Sequence, residues 1–409
     1  MPVRSNLFPV PPSCSHLGVC GGCTAPHSDY RSHLVEKQQT VQSLFQDHLP
    51  SRLIGDIIPS PHPFYYRNKI ELKFDRFFYP KPPREKIDRP TVIGFRRKGR
   101  WNATLDLNEC RIFSPWLPNL LCDIRQWYRR HNLRSYHQGA REGQLKHLVL
   151  REGKRSGSKL IILITTPETT ITDDFVTAAC HHVNFSGIIH ATQAGTGDVA
   201  IAEDWRLLQG REELTEYLII PDANGNRQLH FTIPPFGFFQ VNPLAVELLY
   251  GRIRAITRTC APERVFDLYG GSGSIALSIA DLVPRLVSVE SFPQSTEYGI
   301  RNSRLNRIDN IEFICAKVER WIRDELPCSP DSNDLVILDP PRSGLHPHVI
   351  RELLKKKPPN ILYVSCNPKL LARELNTFLT QYEARAFYCF DFFPFTPHFE
   401  SMVFLSLRP

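Results

Sequence analysis

From residue 264 onward the chain repeats one unit. Short apolar, largely β-branched runs fall at 264–269, 285–290, 311–315, 334–339, 361–365, 385–391 and 402–407, and helical patterns separate the earlier ones. The runs are nearly continuous in apolar residues, as expected of strands covered on both faces. Their number and spacing predict an α/β architecture, a Rossmann-like doubly wound sheet of seven strands. The last two runs leave no room for a helix between them and predict a hairpin-like edge. In such sheets ligands bind beyond the carboxyl ends of the strands, so the residues just after each run are the first to inspect.

At 409 residues the chain is too long for one ordinary core. Composition and pattern place boundaries after residues 57 and 230. Segment 1–57 holds clustered cysteines and a helix over roughly Tyr30 to His48. Segment 58–230 reads as a central α+β domain around an antiparallel sheet. Its strands fall at 69–74, 91–95, 145–151, 160–165 and 187–192, with helices near 115–131 and 172–182 and a surface loop at Pro80-Lys81-Pro82-Pro83. Segment 231–409 is the doubly wound domain.

A net charge of +8 is compatible with a polyanionic partner. The longest purely apolar run, about Leu160–Ile164, is far short of a membrane span, and the first residues lack a signal-peptide core. Eleven cysteines, an odd number, argue against a disulfide framework and for metal or catalytic use. These features predict a cytoplasmic protein, and a monomer is the default.

Four constellations carry chemistry. The turn Tyr269-Gly270-Gly271-Ser272-Gly273 links a strand to a helix start, and the next strand ends at Glu290, near where an acid grips ribose hydroxyls. Together they favour a nucleoside cofactor, although the spacing is not that of the dinucleotide fingerprint. Asp339-Pro340-Pro341-Arg342 stiffens a strand exit with Asp339 over the crevice. Ser365-Cys366-Asn367-Pro368 sets one cysteine between a strand and a helix start, where a helix N-terminus favours the thiolate. In Pro397-His398-Phe399-Glu400, His398 and Glu400 share one face if the stretch is extended, and either is a candidate general base.

Upstream, Cys14-x5-Cys20-Gly21-Gly22-Cys23 and the remote Cys110 are able to enclose one metal centre, zinc or a [4Fe–4S] cluster. The spacing does not match that of radical enzymes that cleave S-adenosylmethionine. The runs Arg96-Arg97-Lys98-Gly99-Arg100-Trp101 and Arg129-Arg130-His131 read as solvated faces or as contacts to a phosphate backbone.

With Phe238-Phe239-Gln240-Val241-Asn242, these motifs resemble the RNA 5-methyluridine methyltransferases, specifically the iron–sulfur branch acting on 23S ribosomal RNA. The resemblance runs from Cys14 to Glu400. It implies a [4Fe–4S] cluster on Cys14, Cys20, Cys23 and Cys110, and S-adenosylmethionine against Gln240, Tyr269, Gly271, Glu290 and Asp339. It implies Cys366 as nucleophile and Glu400 as base. The cysteine cluster points to ribosomal rather than transfer RNA. Two features depart from the family pattern. Only thirteen residues precede Cys14, where many relatives carry a small RNA-binding barrel, and Lys317 stands where some have asparagine. The rival readings are a transfer-RNA uridine-54 methyltransferase, a non-catalytic iron–sulfur or zinc RNA-binding protein, a radical or electron-transfer enzyme, and a DNA cytosine methyltransferase. The last carries its nucleophile in a Pro-Cys context, absent here.

Overall fold

The computed structural model describes residues 14–24, 29–81, 87–327 and 329–409. Pro82 and Pro83 of the expected loop lie outside them. The chain divides into two compact units, one of residues up to Tyr30 with His62–Glu216 and Ile233–Phe236, the other of Arg31–Pro61 with Tyr217–Thr232 and Gly237–Pro409. Among the described residues no helix is long and apolar enough to cross a membrane.

Helix α1 (Tyr30–Phe45) groups with the second unit. The first unit is built on strands β1 (Lys69–Arg76), β2 (Thr91–Gly94), β3 (Arg96–Arg97), β4 (Arg100–Thr104), β5 (Leu145–Glu152), β6 (Lys159–Thr165), β7 (Gly187–Thr192) and β8 (Asp204–Gly210). Its helices are α2 (Leu117–Arg130) and α3 (Asp173–Cys180). The main sheet has the order β2-β1-β5-β6-β7-β8. It is mixed rather than purely antiparallel, because α3 returns the chain so that β7 pairs parallel to β6. In α2, Leu117, Leu120, Leu121, Ile124 and Trp127 recur at helical spacing. They bury against Ile70, Leu72 and Phe74 of β1. The basic run at 96–101 is not merely a solvated face. It is the two-stranded ribbon β3–β4, turned at Gly99 (φ 70), with the guanidinium groups of Arg97 and Arg100 over the Phe78 ring.

The second unit opens with a two-stranded ribbon, β9 (Leu214–Ile220) and β10 (Arg227–Ile233). Helix α4 (Pro243–Cys260) follows, then β11 (Arg264–Leu268), α5 (Ser274–Ile279), β12 (Arg285–Glu290), α6 (Pro293–Leu305), β13 (Ile311–Cys315) and α7 (Val318–Asp324). The chain ends in β14 (Asp334–Leu338), α8 (Pro347–Lys356), β15 (Asn360–Ser365), α9 (Pro368–Phe378), β16 (Tyr382–Phe390) and β17 (Glu400–Leu407). Helices α4, α6, α8 and α9 carry proline in their first turn, where its missing N–H costs nothing.

The seven strands order as β13-β12-β11-β14-β15-β17-β16. Strands β11 to β15 pair in parallel, and β17 is antiparallel to both β15 and β16. The α/β methyltransferase fold expected from the sequence is present with a mixed sheet. Two consequences place the site. The strand order reverses between β11 and β14, so the glycine turn after β11 and Asp339 after β14 border one crevice. Ser365 pairs with Ser401, so the end of β15 meets the start of β17. The core of this unit includes Val41 and Phe45 of α1 beside Val336, Ile361, Phe387 and Val403. The sequence boundary at residue 57 therefore separates a helix from the core that buries it.

Candidate active site

The glycine turn is shaped for close approach. A Cβ on Gly270 would lie 2.2 Å from Ser288 Oγ, and one on Gly273 (φ 73) would lie 2.6 Å from the Phe313 ring. A Cβ on Gly271 (φ 54) would meet nothing within 4 Å, so the turn exposes open space at that residue. Tyr269 is left-handed (φ 64), which sharpens the exit from β11. Glu290, at the end of β12, is locked in place. Its Oε2 accepts the Gly271 N–H (3.1 Å) and its Oε1 accepts the Phe292 N–H (2.8 Å). An open cradle with a fixed carboxylate on the next strand fits the nucleoside end of S-adenosylmethionine.

Carboxyl groups line the crevice. Asp267, fully buried on β11, has its pKa pushed up to about 7, by burial and then by Asp339. Burial pushes Asp339 up to about 7 as well. Glu400, 2% exposed, is raised well above the ordinary carboxylate range, by burial and then by Asp339. These groups hold protons that isolated carboxylates would release near neutral pH.

Cys366 follows β15, and α9 starts two residues later, capped by the Asn367 side chain, which accepts the Leu370 N–H (3.4 Å). The helix start was expected to favour the thiolate. The structure reverses this. Burial first, then the negative charges of Glu400 and Asp339, push the thiol up to about 11, opposed by the Arg342 guanidinium. These surroundings favour the thiol over the thiolate.

The segment between β16 and β17 is pinned from several sides. Lys37 of α1 donates to Asp391 Oδ1 (2.5 Å) and to the carbonyls of Phe393 (3.0 Å) and His398 (2.7 Å). Asn242 caps α4 by accepting the Ala245 N–H, and its Nδ2 donates to Phe392 O and Ser60 Oγ, both at 3.1 Å. Arg342 hydrogen-bonds the His398 ring at 3.3 Å, and its own carbonyl accepts from Asn367 Nδ2 at 3.1 Å. His398 is not in β17, and burial, Arg342 and Lys37 lower its pKa. Gln240 lies half-buried just before the Asn242 cap, and Lys317 is the residue preceding α7. Sequence reasoning missed Lys37, Asp267 and Asp391. Asp267 carried a usable signal, a lone acid inside an apolar strand next to the glycine turn.

In the first unit the four expected cysteines come together. Burial pushes Cys23 up to about 12, with further contributions from Cys110, Cys20 and Cys14. Cys110 is pushed to about 11, again with Cys20 and Cys14 contributing. Gly22 N–H points to Cys20 Sγ at 3.3 Å, and Gly21 N–H to Arg96 O at 3.1 Å. Grouped thiols with a backbone amide aimed at one sulfur fit a thiolate-bound metal centre.

The tRNA (Uracil-5-)-methyltransferase family pattern matches residues 328–408, the stretch that carries Asp339, Cys366 and Glu400. A Clostridium tetani protein described as an uncharacterized RNA methyltransferase is 31% identical over 410 residues, covering 98% of this chain and 85% of that protein. The chain belongs to the RNA uracil-5-methyltransferase family. A tRNA (uracil(54)-C(5))-methyltransferase of Pyrococcus horikoshii is 29% identical, covering 97% of this chain and 86% of that protein. The Pyrococcus abyssi tRNA (uracil-54, C5)-methyltransferase, solved with S-adenosyl-L-homocysteine, matches with a TM-score of 0.73 at 26% identity, over 94% of this chain and 86% of that one. As a uracil-5-methyltransferase, this protein is an enzyme that transfers a methyl group to RNA. Its methyl donor is S-adenosylmethionine.

Proposed function

We propose that this uracil-5-methyltransferase modifies C5 of a uridine in 23S ribosomal RNA through a covalent adduct between Cys366 and C6. The observation that carries the reading is the meeting of Cys366 and Glu400 beside Asp339, at the abutting ends of two neighbouring strands. Bound S-adenosylmethionine supplies the methyl group. In this reading Glu290 and Gly271 hold its nucleoside end, and Gln240, Tyr269 and Asp339 border the rest.

The chain's residues divide the work. C5 of uracil is too weak a nucleophile to take a methyl group unaided. Attack of the Cys366 sulfur on C6 moves the electron pair toward C5. The thiol must first lose its proton, which the buried carboxyls oppose until substrate seats. With the methyl group on C5 and S-adenosylhomocysteine released, Glu400 removes the C5 proton, and elimination breaks the S–C6 bond and frees the Cys366 sulfur. Glu400 must be ionised for that step, and as a carboxylate its buried setting makes it the stronger base. The target uridine must leave its stack to reach the sulfur.

Cys14, Cys20, Cys23 and Cys110 would hold the [4Fe–4S] cluster. Among the described residues, the trio of possible ligands lying within 4.8 Å of one another is Asp123, His181 and His182, and no three cysteine sulfurs approach so closely. Four cysteine thiolates suit a [4Fe–4S] cluster as they suit tetrahedral zinc, and the cluster is the assignment carried here. The cluster is assigned a structural role, since the reaction moves no unpaired electrons.

A second reading keeps the chemistry and changes the RNA. The two Pyrococcus proteins are named as transfer-RNA uridine-54 enzymes, and both align along nearly all of this chain. One experiment separates the readings. Labelled S-adenosylmethionine is offered with 23S ribosomal RNA and, separately, with transfer RNA, and the product is mapped by mass spectrometry. Label at C5 of a ribosomal uridine supports the first reading, and label on transfer RNA supports the second. Glu400→Gln should accumulate a methylated protein–RNA adduct stable to denaturant. Normal turnover by that variant places the base elsewhere.

A further inference from the structure

The first unit holds a cavity of about 340 Å³ that methyl transfer leaves unused. It lies at the small end of ligand sites, which run from about 300 to 1,000 Å³. His147, on β5, lines it and is only 6% exposed. Among the described residues none hydrogen-bonds its ring. Burial, with Lys73 nearby, pushes this imidazole down to about 4, so it is neutral, with one ring nitrogen a donor and the other an acceptor. On the cavity wall such an imidazole offers a ligand one donor and one acceptor.

The rest of the lining suits one class of ligand. Tyr136 brings an aromatic ring, with Lys146 Nζ 4.5 Å from its centroid. Lys146 is already committed to the carbonyls of Gln193 (2.5 Å) and Gly195 (2.7 Å). Lys73 pairs with Asp198 at 2.6 Å, and Arg96 bridges Asp75 (3.3 Å) and Asp198. Three cations, Lys73, Arg96 and Lys146, against two carboxylates, Asp75 and Asp198, leave one positive charge. A phosphodiester carries one negative charge. An aromatic face, a donor–acceptor imidazole and a balancing cation are what an unstacked nucleotide of RNA requires.

We propose that this cavity seats one unstacked ribonucleotide of the RNA substrate, distinct from the methylated uridine, with its base against Tyr136 and His147 and its phosphodiester on Lys73 and Arg96. The proposal rests on the reading of RNA as substrate. It would make the first unit an anchor for a second extruded base.

The test uses the full chain with its cluster loaded. The probe is fluorescein-labelled RNA, a 23S fragment or transfer RNA, whichever the wild type methylates. Tyr136→Ala and His147→Leu should each weaken RNA binding by about tenfold, within the range seen when stacking residues are truncated. Affinity for S-adenosylhomocysteine should stay at the wild-type value. Unchanged RNA affinity in both variants overturns the proposal. If either variant fails to fold, cross-linking of wild-type protein to RNA carrying 4-thiouridine decides. Adducts on peptides spanning residues 136–147 support the pocket, and adducts confined to other peptides overturn it. A wild type that binds neither RNA overturns the substrate reading itself, whereas tight wild-type binding with unaffected variants removes only this pocket.

Discussion

Lys37 and Asp391, 354 residues apart in sequence, form an ion pair of 2.5 Å at 2% and 0% side-chain exposure. The same ammonium holds the carbonyls of Phe393 and His398, so one side chain of α1 fixes the segment that leads into Glu400. Lys37→Met would remove the ammonium paired with a buried carboxylate, and breaking such pairs costs about 3–5 kcal/mol. Chemical denaturation should show a loss of that size. Lys37→Met with Asp391→Leu should recover much of it, because the uncompensated charge is then gone. A single variant as stable as wild type would show that the pair contributes little.

Cys366→Ala should abolish methyl transfer while S-adenosylhomocysteine still binds. The wild-type thiol, pushed up to about 11, predicts a second behaviour. Its thiolate fraction should climb about tenfold per pH unit between 7 and 10. Alkylation of Cys366 by iodoacetamide, followed on its peptide by mass spectrometry, should climb in parallel. A rate flat from pH 7 upward would mean the thiolate is already formed. Arg342→Ala should slow alkylation further at a given pH, since that guanidinium opposes the rise.

Asp267 supplies a stability test with a definite sign. Its folded pKa, about 7, lies above the ordinary value of about 3.9. The stabilisation tied to its protonated form is complete below about pH 4 and is lost as pH rises through 7. Asp339 and Glu400 act in the same direction. Asp267→Asn, neutral at every pH, should therefore gain melting temperature relative to wild type at pH 8 and show no such gain at pH 4. The same difference at both values would show that the carboxyl is not perturbed.

Cys110→Ser tests the proposed metal centre. Anaerobically purified wild type should carry about four irons and four sulfides per chain with broad absorption near 400 nm, as a cubane cluster requires. The variant should lose most of both. One zinc per chain in wild type, with no sulfide, would replace the cluster with a tetrahedral ion.

The second unit was largely legible in sequence because buried parallel strands are written as unbroken apolar runs, such as Leu335–Leu338 and Ile361–Val364. Strands with other composition were not. β3 and β4 are rich in arginine, and β8 is an edge strand whose residues are mostly exposed, so neither shows an apolar signature. Lys37 looked like any polar position on an amphipathic helix, since its partner lies 354 residues away. The cysteine's position was readable but its protonation was not. The helix start near Cys366 is a local feature, whereas Glu400 and Asp339 reach it only through the strand order.

That strand order has a consequence for how the enzyme can fail. Strand β17 runs against β15, with Ser401 opposite Ser365, so Cys366 and Glu400 meet only because two chain segments align to the residue. Side chains alternate faces along a strand, so a slip of one position would turn Glu400 to the far side of the sheet. Such a misaligned molecule would keep its helices, its sheet content and its circular dichroism, yet perform no chemistry. Turnover is therefore a sharper gauge of correct strand alignment in this protein than any spectroscopic measure of how much sheet has formed.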